Sequence, residues 1–261
     1  MYIIPPQTCV RIRFHLRRKR AQFAGIAVLV ALAASLQAPS QTPEVPIRPS
    51  DAEIIQRIDA AVYQRFNAVA GYTVREQYNL YRDSSTTPAA QETILTTYNR
   101  ATGKEYTPIA QSGSALLRSA VLDHILAGEK EVNLPANREG ALITSRNYDF
   151  SPQPGIVQRN GRDCIVVELH PRRKSTHLFT GRAFVDAADF TVVRLEGSPS
   201  QSPSFFAGET TVARDYAKIG GFSMATHAEA RSHSALFGNT LITIDYTNYQ
   251  IDRDPTAADP K

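Results

Sequence analysis

Six histidines, two cysteines and scattered serines are the residues from which this sequence could build a reactive site. Nucleophilic catalysis needs a Ser or Cys in a strained turn with a His base and an orienting carboxylate. There is no Gly-x-Ser-x-Gly. The nearest stretch, Gln111-Ser112-Gly113-Ser114, reads as a loop entering a helix cap. His170 and His177 flank a basic turn, and His227 and His233 lie six apart; neither spacing fits a zinc or oxygenase site. Asp186 and Asp189 bracket a β-turn, where Asp bonds its own backbone. No Gly-rich loop could cradle a phosphate. The sequence therefore predicts no catalytic residue, no metal and no cofactor. Arg172-Arg173-Lys174 could meet anionic head groups or a partner protein, but reads first as a solvated hairpin tip. Cys164 opens an apolar strand and is expected to be a buried structural thiol. Cys9 lies in the N-terminal segment, so no intramolecular disulfide is expected.

What remains is apolar. Ile165, Val167 and Leu169 run with Val166, Val193 and Leu195 with Phe190 and Val192, and Ile242 and Ile244 with Leu241. Strands apolar on both parities are either covered on both faces or line a cavity. The loop Ser202-Pro203-Ser204-Phe205-Phe206 adds two adjacent aromatics that cannot both point the same way on an extended chain. Phe184, Val193, Leu195, Phe222 and Met224 of the strands, with Phe205 and Phe206 of this loop, are the candidates to line an apolar ligand cavity.

The elements that would position these residues begin with a capping box at Ser50-Asp-Ala-Glu53. Ile55, Ile58, Val62, Phe66 and Val69 then form a helical stripe, with Gly71 as its stop. Alternation from Tyr72 to Tyr81 predicts a strand, followed by strands over Glu92–Arg100 and Lys104–Gln111. Ser114 caps a second helix through Leu117, Ala120, Val121 and Ile125, ending at Gly128. Residues 129–147 are irregular, with one short strand at Ala141–Ser145. Asn160-Gly161 predicts a two-residue hairpin of the primed type. A meander of short strands follows from Cys164 to Ile251. Helix, strands, helix, then many strands is an α+β pattern, with helices gathered on one face of an antiparallel sheet.

Residues 1–40 carry a basic run from Arg11 to Arg20 and an uncharged stretch from Ala21 to Ala38. This is a signal peptide, with small-residue cleavage sites at Ala33–Ser35 or Ala38–Ser40, or an N-terminal membrane anchor. Either places the rest of the chain in the periplasm or cell envelope. That segment holds six of the 29 basic residues and no acid, leaving 23 basic and 25 acidic residues. The basic balance belongs to export and gives no support for nucleic-acid binding. Residues 41–49 form a Pro-rich linker, 50–251 the domain, and 252–261 a polar tail expected to be disordered.

The stretches Tyr148-Asp-Phe150, Gly161 to Pro171 and Gly181-Arg-Ala-Phe-Val-Asp-Ala-Ala-Asp-Phe-Thr-Val-Val-Arg-Leu-Glu196 resemble the outer-membrane lipoprotein-sorting superfamily of LolA/LolB- and RseB-like proteins. In that superfamily a strand ending in Pro leads to a hairpin and then to a cavity-facing strand. The resemblance implies an incomplete, strongly curved β-barrel whose mouth is closed by helices and whose apolar interior takes acyl chains. It implies a carrier or sensor of lipid or lipoprotein, with an envelope protein as a second candidate partner. The other readings are an envelope interaction protein of the same fold with a filled interior, and an exported hydrolase.

Overall fold

The computed structural model describes residues 48–201, 209–234 and 238–257. The signal or anchor, most of the linker, and Phe205 and Phe206 lie outside the described residues. The first helix, α1 (Asp51–Ala68), starts where the capping box placed it. The Ser50 hydroxyl accepts the Glu53 amide at 3.2 Å. Its buried stripe is Ile54 and Ile58 rather than Ile55 and Ile58. Gly71 is not its stop: the chain passes from Ala68 directly into β1 (Val69–Arg82). A Cβ at Gly71 would sit 2.9 Å from the Tyr98 carbonyl, so a close strand approach selects glycine here.

Strands β2 (Ala90–Asn99) and β3 (Gly103–Gly113) pair in sequence with β1. The Ser114 hydroxyl then accepts the Leu117 amide at 3.3 Å and opens one helical run. It comprises α2 (Ala115–Leu117), a π-helical turn (Arg118–Leu122) and α3 (Asp123–Val132). The run passes Gly128, where a Cβ would meet open space, so nothing there forces a stop. A 3-10 turn (Arg138–Ala141) follows, and turns replace the strand expected at Ala141–Ser145.

The meander comprises β4 (Tyr148–Pro152), β5 (Val157–Arg159), β6 (Arg162–Pro171), β7 (Phe179–Asp186), β8 (Val192–Pro199), β9 (Thr210–Ile219), β10 (Phe222–Ser234) and β11 (Gly238–Arg253). Asn160 and Gly161 both take positive φ, at 49° and 73°, which gives the right-twisted turn between β5 and β6. β11 continues past Ile251 to Arg253, and Asp254 pairs with Arg100. The tail expected to be disordered from residue 252 is therefore ordered at its start.

All strands join one antiparallel sheet in the order β3-β2-β1-β11-β10-β9-β8-β7-β6-β4, with β5 on β6. Among the described residues no pairing joins β3 to β4, so the sheet is an open half-barrel. The chain leaves β3 at one edge and must re-enter at β4 on the other, and this connection carries α2 and α3 across the concave face. Ile54 and Ile58 of α1 pack on Tyr148, Leu169, Val185 and Leu195. Burying two such side chains contributes about 3–6 kcal/mol. Leu117, Val121 and Leu122 pack on Tyr78, Leu80, Ile94 and Ile242. Two helices thus build two separate cores on one curved sheet.

Candidate functional site: a cavity between the two cores

Neither helix fills the middle of the half-barrel. Between the cores lies a cavity of about 470 Å³, within the range of small-molecule sites. Val62 and Phe66 of α1 form one wall, Ile125 and Val132 of α3 another, and Leu195, Ala228, Ile242 and Ile244 the floor. Phe222 and Met224 close one end, packed on Ala68 and Val69.

Of the residues selected by strand parity, Leu195, Phe222 and Met224 line this cavity. Phe184 and Val193 do not. They pack with Cys164 on the opposite face of the sheet. The reason is a β-bulge: Phe184 pairs with Arg194 while Val185 pairs with Val192, so Val193 is an extra residue. Parity resets there. Val192 and Leu195 point inward, and Val193 points outward. Phe184 lies between the inward Ala183 and Val185, with the Arg159 guanidinium 4.7 Å from its ring centre.

Charge enters this apolar space where parity arguments did not look for it. Glu129 of α3 accepts from Lys104 Nζ of β3 at 3.0 Å and from an Arg214 guanidinium nitrogen of β9 at 3.1 Å. Burial disfavours the Glu129 carboxylate, but its two cations outweigh that and hold its pKa well below the ordinary range. The same balance, burial against Glu129, raises Lys104 well above its ordinary value. Around them stand Tyr72, Tyr106 and Tyr246, whose hydroxyls are pushed up chiefly by burial. Glu76, buried beneath, accepts the Tyr78 hydroxyl at 2.5 Å. Glu76 was visible as the one acid on the Tyr72, Val74, Tyr78, Leu80 face of β1. Lys104 and Arg214 carried no such mark.

The histidines have separate partners or none in common. His227 pairs with Asp245 at 2.7 Å and His233 with Asn239 at 2.9 Å, while His170 is exposed. No group of three or more His, Cys, Asp or Glu among the described residues could hold a metal. Asp186 accepts the Ala188 and Asp189 amides and pairs with Arg162, which makes it a turn residue. Cys164 is buried, and burial raises its thiol pKa. The basic triplet is exposed, as a solvated turn would be, and two of its members have partners. Arg172 pairs with Asp149, and Arg173 donates to the Gly140 carbonyl and the Asn147 side chain.

No family model and no curated protein matches the chain. Solved structures do. A putative outer membrane lipoprotein-sorting protein domain from Vibrio parahaemolyticus is 14% identical, over 79% of this chain and 93% of that one, with a TM-score of 0.43. A LolA superfamily protein from Nitrosomonas europaea is 14% identical, over 79% and 96%, with a TM-score of 0.39. A DUF1329 family protein from Desulfovibrio piger is 12% identical, over 76% and 93%, with a TM-score of 0.39. The first two bear the superfamily name that the meander resembles. At such identities and TM-scores, function has to be argued from the cavity.

Proposed function

We propose that this is an exported cell-envelope protein that binds a lipid, or the acyl chain of a lipoprotein, in the half-barrel cavity. The observation that carries the reading is the space itself, left open among the described residues and walled by Val62, Phe66, Leu195, Phe222 and Met224. Burying an acyl chain contributes about 0.8 kcal/mol per methylene, so such a site needs apolar wall and few directed polar groups. The separated histidines and the turn-bound Asp186 favour binding over hydrolysis. The unfilled volume favours a ligand over a purely structural interior. No helix among the described residues is long and apolar enough to cross a membrane.

The test is competition in the full-length protein. An environment-sensitive apolar dye should bind with enhanced fluorescence and be displaced by long-chain acyl compounds more strongly than by short ones. Displacement independent of chain length would contradict the proposal.

A further inference from the structure

The acids and cations lining the cavity balance in number, but not every cation has a carboxylate partner. Glu129 is matched by Lys104 and Arg214, Asp189 by Lys218 and Arg162, and Glu196 by Arg194 and Arg182. Two lining cations remain. Arg65, half-buried in the last turn of α1, forms an ion pair with no carboxylate among the described residues. Arg138 donates to the Tyr98 hydroxyl at 3.1 Å and to the Arg100 carbonyl, both neutral acceptors. Its Nε is buried without a hydrogen-bond partner. The C-terminal dipole of α1 amounts to about half a charge and leaves much of the Arg65 charge unmatched.

These two cations stand at one end of the cavity. Arg138 lies over the Phe66 ring at 5.2 Å, one residue along from Arg65. Tyr98, which Arg138 holds, stacks on Tyr72 with ring centres 5.0 Å apart, and Arg65 lines the cavity with both rings. Lys104 is the cross-strand neighbour of Tyr98. Of the two other acids in the lining, Glu76 accepts the Tyr78 hydroxyl and Glu229 pairs with Arg231. A buried guanidinium with an unmatched donor is costly, and an anion that reaches it gains charge-assisted hydrogen bonds.

We propose that the cavity selects an amphiphile with an anionic headgroup, which Arg65 and Arg138 receive beside the Tyr72–Tyr98 pair while its chain lies along Val62, Leu195 and Ile244. This rests on the acyl-binding reading above and adds the headgroup class to it. The shared chemistry is an oxyanion, whether a carboxylate or a phosphate ester.

Titrating the full-length protein with a fluorescent polyene fatty acid and with its methyl ester separates headgroup from chain. The acid should bind about tenfold more tightly than the ester, as expected for one or two charge-assisted hydrogen bonds. Arg65→Gln and Arg138→Gln should each bring that ratio toward one, and Arg65→Lys should retain more of it. Either Gln variant suffices if the other fails to fold. Displacement of the bound acid at lower concentration by an alkyl phosphate than by an alkyl carboxylate of equal chain length would assign a phosphate ester, and the reverse order a carboxylate. Displacement by inorganic phosphate alone would overturn the proposal by separating the anion from the chain. Equal affinity for acid and ester would overturn it while leaving the acyl cavity standing. Binding of neither would remove the acyl-binding reading as well.

Discussion

Glu129 is the residue on which the interior charge depends. Among the described residues it alone forms ion pairs with Lys104 and Arg214, whose side chains are 11% and 33% exposed, and its replacement leaves two like charges facing each other. Removing one partner of a buried pair costs about 3–5 kcal/mol, and partial exposure lowers this, so Glu129→Gln should destabilise by about 2 kcal/mol in urea titrations. A loss below about 0.5 kcal/mol would show that water already screens the triad. The pH dependence has a definite sign. The folded carboxyl titrates below its ordinary value of 4.5, so its contribution is complete above that value and is lost as pH falls through the depressed folded-state value. The wild type should lose stability on acidification below pH 4.5 more steeply than Glu129→Gln. Parallel acid limbs would contradict the assignment. None of this was legible in the sequence, because Glu129 meets Lys104 across 25 residues and Arg214 across 85. Only Glu76, an acid on an apolar strand parity, announced a polar interior.

Elements were more legible wherever a local rule acts alone. The Ser50 and Ser114 caps and the Asn160-Gly161 turn each depend on a few neighbouring residues, and each lies where the sequence placed it. Replacing Ser114 by Ala should cost about 1 kcal/mol and loosen the helical run over the cavity, measurable as faster amide exchange at Leu117 and Arg118. Unchanged exchange there would assign the helix start to packing of Leu117 and Val121 instead. The bulges are another matter. An extra residue on β8 at Val193, and one on β10 at Thr226, leave no residue-type signature, so counting by twos crosses the wrong face after either. The error is testable. Phe184→Ala should cost about 3 kcal/mol of stability yet leave dye affinity of the folded protein unchanged, whereas Leu195→Gln should lower dye affinity several-fold. Equal effects on dye binding would place both side chains in the cavity and dispute the bulge.

At the scale of the whole molecule, the half-barrel follows from connectivity. β1 pairs with β11, so both ends of the domain meet in mid-sheet, and the β3–β4 connection must cross the concave face to reach the far edge. Crossing there, α2 and α3 cover one end while α1 covers the other, and the space between their two cores is the cavity. The α+β class and the helix-covered sheet could be read from the order of elements. The space could not, because an unfilled interior is a property of how two cores fail to meet. The central claim is that something apolar occupies it. The most direct measurement is mass spectrometry of the organic extract from full-length protein purified out of its native membranes. A lipid or acyl compound recovered in near-equimolar amount, and reduced in Leu195→Gln, is the expected result. An extract free of lipid from folded protein would contradict the account.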